Sequence, residues 1–242
     1  MTQQVTTVIF DVDDTLYDQH FPFKQALLDS FTYPLKEADI ESLYLLSRKY
    51  SDDVFEEEQR GEITTEDLQV YRITASMRDL GYEISKQEAL LFQDTYIAYQ
   101  NKITLIPEVR ALLDYLAAKD VTLAILTNGN ADHQQMKINQ LGMNQWVKPT
   151  HQFISGALPF QKPDKRVFDH IVNTLNLNKD TTFYVGDAYV NDVLGAKGAG
   201  LSVVWFNHRL REPEGEIRPD YTATTAKDLL AFFKSQLGSK DR

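Results

Sequence analysis

Cysteine does not occur among the 242 residues, which excludes disulfides and thiolate metal sites and fits a reducing compartment. Basic residues are scarce. Twenty-five Lys plus Arg face 35 Asp plus Glu, for a net charge of −10, a balance that argues against a nucleic-acid polymer or an anionic membrane as the main partner. A small phosphorylated metabolite remains compatible, because a metal ion and a few local cations reverse the field inside one pocket. No run of about 18 apolar residues occurs, and the start Met1-Thr-Gln-Gln-Val-Thr-Thr has neither a basic region nor a long apolar stretch. Neither a membrane span nor a signal peptide is expected, and the cytoplasm is the expected location. The five histidines include no i, i+4 pair, which argues against zinc. What is present suffices for a core: 43% of residues are hydrophobic, enough for one large domain or a domain with a sizeable insertion.

The stretch Val8-Ile-Phe-Asp11-Val-Asp13-Asp14-Thr15-Leu16 organises the rest. A short β-branched apolar run ends abruptly in carboxylates, as a buried parallel strand does when it delivers acidic side chains to a site at its C-terminal end. Asp11 is the candidate nucleophile, since a carboxylate is able to attack phosphorus and form an aspartyl-phosphate. Asp13, two residues on, projects from the same side of an extended chain and is the candidate general acid/base. A plain polar turn is the competing reading of the three aspartates. An EF-hand is not, because Thr15 and Leu16 stand where its loop needs Asp or Asn and then Gly.

From Leu16 to about Asn101 the pattern is helical, with a helix start at Thr64-Thr65-Glu66-Asp67 and a helix end at Gly81. Its aromatics are expected mostly in a core, with Tyr17 and Phe21 the better candidates for facing a ligand. From Ile106 strand and helix alternate: Val121–Leu126, a short strand near Phe153-Ile154, Thr182–Val185 and Ser202–Phe206 read as strands. Val109, Leu112, Leu113 and Leu116, then Val167, Phe168, Ile171, Val172 and Leu175, and finally Ala226, Leu229, Leu230 and Phe233 mark helix faces. Such alternation specifies an α/β fold, a doubly wound parallel sheet of Rossmann-like type, with an all-helical insertion. The expected division is a core of 1–16 and 103–242 and a helical domain of 17–102. The segment Arg209 to Pro219 reads as a surface loop.

Three apolar strands end in polar groups, Asp11, Thr127 and Asp187, and in a parallel sheet those ends share one edge. Thr127-Asn128-Gly129 fits either a turn or a phosphate cradle of hydroxyl and backbone N–H groups. Lys162 is either a solvated loop residue or the cation that neutralises phosphoryl oxygens. Asp187 and Asp192 are either a turn and a helix cap or metal ligands, Asp192 directly or through water. Charge counting favours the metal: Asp11, Asp13, Asp187 and Asp192 are offset by Lys162 alone, and Mg²⁺ suits an all-oxygen site.

Asp11-Val-Asp13-Asp14-Thr15-Leu16, Thr127-Asn128, Lys162-Pro163-Asp164 and Gly186-Asp187 with Asp192 resemble the four ordered motifs of the haloacid dehalogenase-like (HAD) hydrolases. The resemblance implies that Asp11 is the nucleophile, Asp13 the acid/base, and that Thr127, Asn128 and Lys162 bind substrate phosphate. It implies Mg²⁺ held by Asp11, the backbone carbonyl of Asp13 and Asp187, with Asp192 in support. The helical block resembles the family's α-helical cap, which closes over substrate, and Asp13 argues against the metal-free dehalogenase branch. Trp205-Phe-Asn-His-Arg209 and the tail from Glu212 to Tyr221 resemble the pyrimidine nucleoside 5′-monophosphatase branch. The expected activity is therefore a Mg²⁺-dependent phosphomonoesterase acting on nucleoside 5′-monophosphates. A phosphosugar phosphatase, a phosphoglucomutase-like phosphotransferase and an inactive binding module are the alternatives. Monomer and homodimer are both compatible with the sequence.

Overall fold

The computed structural model describes residues 5–238. The chain divides into two compact units, Met1–Asp18 with Thr104–Arg242, and Gln19–Ile103.

The first strand, β1 (Thr7–Phe10), is buried along its whole length. The chain then enters the helical unit: α1 (His20–Ser30), α2 (Glu37–Asp53), the short α3 (Phe55–Gln59), α4 (Thr65–Asp79) and α5 (Lys86–Gln100). Capping boxes start α4 and α5. Thr64 accepts from the Asp67 N–H and Ser85 from the Glu88 N–H, while each acid returns a bond to the cap residue's N–H, which satisfies donors that a helix start leaves open. This unit has its own core, in which Phe23 meets Tyr44, Phe92 and Tyr96 edge-on. Not all of its aromatics are interior. Phe31, Tyr44, Phe92 and Tyr96 are buried, whereas Phe21 and Tyr71 are exposed.

In the other unit α6 (Pro107–Ala118), β2 (Thr122–Thr127), α7 (Ala131–Gln140), β3 (Gln152–Ile154), α8 (Lys165–Thr174), β4 (Thr182–Gly186), α9 (Gly195–Gly198), β5 (Ser202–Phe206), β6 (Tyr221–Ala223) and α10 (Ala226–Leu237) follow β1. A six-residue π-helical segment, Tyr189–Leu194, leads directly into α9. Every strand pair is parallel, and the order is β3-β2-β1-β4-β5-β6. The chain therefore builds outward from β1 on one side, then crosses to β4 and builds outward on the other. The crevice between the C-terminal ends of β1 and β4 is the topological switch point, where open α/β sheets hold ligands. Pairing of Phe10 with both Ile125 and Val185 brings the residues after β1, β2 and β4 to one edge. The sixth strand is not foreseen by the sequence pattern. It is three residues long, lies at the sheet edge beside β5 and has an exposed Thr222, so it lacks the apolar run that marks its neighbours.

Candidate active site

Asp11 follows β1 directly, and its N–H extends the ladder by donating to the Val185 carbonyl at 2.9 Å. Its carboxylate is buried, and Lys162 Nζ donates to Oδ1 at 2.7 Å. Oδ2 accepts no hydrogen bond from the described residues. Lys162 is itself 4% exposed and also donates to Asp192 Oδ1 at 2.7 Å and to the Tyr184 hydroxyl at 3.0 Å. All three protons of its ammonium are thus engaged. Burial works against the charge on Lys162, but Asp11 and Asp192 outweigh it and hold the ammonium protonated. For Asp11 burial dominates. Despite Lys162, desolvation together with the Asp192 and Asp13 charges pushes its carboxyl up to about 7.

Asp187 lies just beyond β4. Its backbone carbonyl accepts from Trp205 Nε1 at 2.8 Å, and its Oδ2 accepts from Arg211 Nη1 at 3.0 Å. Burial and the charges of Asp14, Asp192 and Asp11 push its carboxyl well up against the opposing effect of Arg211. One oxygen each from Asp11, Asp187 and Asp192 lies within 4.8 Å of the others. This buried, all-oxygen trio, with two members driven toward protonation by burial and mutual repulsion, fits a hard divalent cation. Asp192 is fully buried in the π-helical segment, with Oδ1 on Lys162 and Tyr184 and Oδ2 accepting the Ala188 N–H at 2.9 Å. With both oxygens already engaged, it is better placed to support a cation through water than to bind it directly. Gly186 makes the approach possible, because a Cβ there would stand 2.3 Å from Asp192 Oδ2.

The side chain of Asp13 stands outside this trio. Lys137 Nζ donates to both its oxygens at 2.7 and 3.0 Å, Gln134 Nε2 donates to Oδ2 at 2.8 Å, and the Tyr17 hydroxyl donates to Oδ1. Among the expected metal residues, then, Asp13 has no carboxylate in the cluster and has only its backbone carbonyl to offer. The count of one lysine against four carboxylates is also corrected. Lys137 and Arg211 add cations that sequence spacing did not disclose.

Thr127, buried at the end of β2, shares the edge with Asp11. Asn128, next along the chain, clamps the main chain of Lys162. Its Oδ1 accepts the Lys162 N–H at 2.9 Å and its Nδ2 donates to the Lys162 carbonyl at 2.8 Å. Both ends of the side-chain amide thus hold the main chain of the residue that carries the ammonium. The Gly129 N–H, also expected at phosphate, donates instead to Ser155 Oγ at 3.0 Å.

The expected surface loop is a second correction, since part of it folds inward. Arg209 grips the buried carboxylate of Asp14 in bidentate fashion, Nε to Oδ2 at 2.9 Å and Nη2 to Oδ1 at 2.7 Å, and also reaches Asp18 at 2.6 Å. His208 Nε2 lies 2.8 Å from the Asp14 carbonyl. Asp14 needs this support, having the left-handed backbone (φ 56°) that L-residues seldom adopt. Burial opposes its charge, yet the Arg209 hydrogen bond and the charges of Arg209, His208 and Arg211 hold the carboxyl below its usual range. Arg209→Ala is expected to destabilise the fold by about 3–5 kcal/mol, the magnitude for breaking a buried ion pair, as read by urea denaturation at pH 7. Because the folded carboxyl titrates lower than the unfolded one, the stabilisation is complete above about pH 3.9 and is lost as pH falls through the folded value. The gap between variant and wild type should accordingly narrow on acidification.

Comparison with known proteins decides the family. The model of the haloacid dehalogenase-like hydrolases matches residues 5–200. The chain belongs to the haloacid dehalogenase-like hydrolases. Among related members of the family, the Bacillus subtilis HAD-hydrolase YfnB is 28% identical over 92% of this chain and 93% of its own. The pyrimidine 5′-nucleotidase PynA of Streptococcus pneumoniae is 27% identical over 92% of each chain. A solved structure of YfnB with bound magnesium superposes with a TM-score of 0.72 at 26% identity, covering 95% of this hydrolase and 98% of YfnB. Among the described residues of this hydrolase no helix is long and apolar enough to cross a membrane.

Proposed function

We propose that this hydrolase is a Mg²⁺-dependent phosphomonoesterase working through an aspartyl-phosphate on Asp11. The observation that carries the reading is the pairing at Asp11: one oxygen is fixed by Lys162, the other has no donor among the described residues, and an Asp187 oxygen lies within 4.8 Å of an Asp11 oxygen. Asp11 Oδ2 attacks phosphorus and the bond from phosphorus to the ester oxygen breaks, with the proton for the leaving oxygen coming from Asp13. Water then attacks the phosphoaspartate, Asp13 takes its proton, and inorganic phosphate leaves Asp11 as a carboxylate. Lys137, Gln134 and the Tyr17 hydroxyl fix the Asp13 carboxyl in one orientation for both proton transfers. Lys162 and the Thr127 hydroxyl stabilise the phosphoryl oxygens. Asp11, the Asp13 carbonyl and Asp187 would hold the Mg²⁺, supported by Asp192, and the cation would supply charge neutralisation for phosphoryl transfer.

The helical unit is read as the substrate cap, and the substrate as a small phosphorylated metabolite. A pyrimidine nucleoside 5′-monophosphate is favoured by the likeness to PynA and to the Escherichia coli pyrimidine 5′-nucleotidase YjjG, 26% identical over 92% of this chain. A phosphosugar or related phosphate is the second reading, supported by likeness to the Pyrococcus furiosus glyceraldehyde 3-phosphate phosphatase, 31% identical over 59% of this chain. An inactive binding module is disfavoured by the buried Lys162–Asp11 pair and the Asp11, Asp187 and Asp192 trio, which a catalytic role explains. Phosphate release from a panel of nucleoside monophosphates and sugar phosphates, with Mg²⁺ and with EDTA, tests the proposal. Metal-dependent release favouring UMP or dTMP is expected. A sugar-phosphate preference would replace the substrate assignment, and release unaffected by EDTA would overturn the metal.

A further inference from the structure

Among the described residues, the guanidinium of Arg211 is the one cation that pairs with the Asp187 carboxylate, it belongs to none of the four motifs, and it is delivered by a closed loop. The Arg211 N–H donates to Asn207 Oδ1 at 2.8 Å, and Asn207 Nδ2 donates to the Arg211 carbonyl at 2.8 Å. Within that loop Arg209 is locked onto Asp14. Arg211 therefore approaches from a fixed base, with Nη1 3.0 Å from Asp187 Oδ2 and Nη2 3.5 Å from Asp14 Oδ2.

Resting on the metal-dependent reading above, we infer that Arg211 is a positioning residue that sets the electrostatic balance of the site, holding back the divalent cation at Asp187 while favouring the phosphate that docks beside it. The argument is one of charge. In the ionised form that binds a cation, Asp11, Asp187 and Asp192 carry three negative charges, and Lys162 and Arg211 reduce the balance to one. A dication overshoots that balance by one positive charge, and a phosphate dianion restores it. Without Arg211 the dication alone would reach neutrality, and the phosphate would meet a site with one positive charge fewer. Removing the guanidinium charge must shift the two affinities in opposite directions, because a fixed positive charge repels one ligand and attracts the other. A merely structural role predicts something different, since loosening Asp187 would weaken both.

The test is calorimetry on the full chain, with Mg²⁺ titrated alone and inorganic phosphate titrated at saturating Mg²⁺, for wild type, Arg211→Gln and Arg211→Lys. For Arg211→Gln the Mg²⁺ Kd should fall about fivefold or more and the phosphate Kd should rise by a similar factor. Arg211→Lys, which keeps the charge, should stay near wild type for both. Both affinities weakening together, or neither changing, would overturn the inference. Absence of Mg²⁺ binding by the wild type would instead overturn the metal-dependent reading. Arg211→Met, which retains the aliphatic stem, reports the same two signs if Arg211→Gln does not fold.

Discussion

Asp11→Asn should lose turnover by about 10⁴-fold or more, the scale on which removal of a covalent nucleophile acts, without losing the fold. An asparagine keeps the shape and an oxygen for Lys162 Nζ, now 2.7 Å from Asp11 Oδ1, but its amide is no nucleophile. The stability readout carries equal information. Burial and neighbouring carboxylates push the Asp11 carboxyl up to about 7, so near neutrality the folded, metal-free protein bears a charge it does not favour. With that carboxyl raised in the folded state, ionising it destabilises the fold increasingly between the unfolded value near about 4 and the folded one. The variant should thus melt at or above the wild-type temperature in EDTA at pH 8. Wild-type Mg²⁺ should remove the difference by compensating the same charge. Turnover within about tenfold of wild type would show that Asp11 is not the nucleophile, whatever the melting curves report.

The second large effect belongs to Lys162→Met. This substitution leaves Asp11 and the fully buried Asp192 facing each other without the ammonium between them. Deleting one partner of a buried ion pair costs about 3–5 kcal/mol, and on the proposed mechanism losing the positive charge beside the attacking carboxylate slows turnover by about 10²–10³-fold. Thermal melting and steady-state kinetics should show the two losses together. Mg²⁺ should recover much of the stability, because a cation at Asp11 and Asp187 relieves the same repulsion, but little of the turnover. A variant with normal melting in EDTA would mean that Asp192 and Asp11 do not depend on Lys162 for their charge.

Asp11 and Asp187 are legible in the sequence because topology carries their meaning. A β-branched run ending in Asp11 and another ending in Asp187 announce buried parallel strands, and parallel strands deliver their C-terminal residues to one edge. Lys162 is legible only through the resemblance of Lys162-Pro163-Asp164 to the third family motif, and the fold brings it 151 positions back along the chain to Asp11. Lys137 was not. It sits between Met136 and Ile138 on α7, where a lysine reads as a solvated interruption, and only the fold shows it buried against Asp13, 124 positions away. Gln134 escaped for the same reason, as did Arg209 and Arg211, which lie in a stretch rich in Pro, Gly and charge. Such composition marks irregular backbone, but it does not say which side chains turn inward. Asn128 carries a contact that one sequence does not reveal, because an amide clamping the main chain of a residue 34 positions away leaves no local pattern. The edge strand β6 went unseen because three residues are too few to show a period.

The inward-folded loop after β5 also bears on how this protein can be divided. Residues 5–200, the span matched by the family model, contain all four motifs, yet the arginines that neutralise Asp14 and hold Asp187 come from positions 209 and 211. A fragment, split reporter or chimaera joined at Gly200 would inherit the complete signature and still lack two of the counter-ions its signature residues rely on. The minimal portable unit extends at least through Arg211. Grafting the motifs into another host would require a replacement for those two charges.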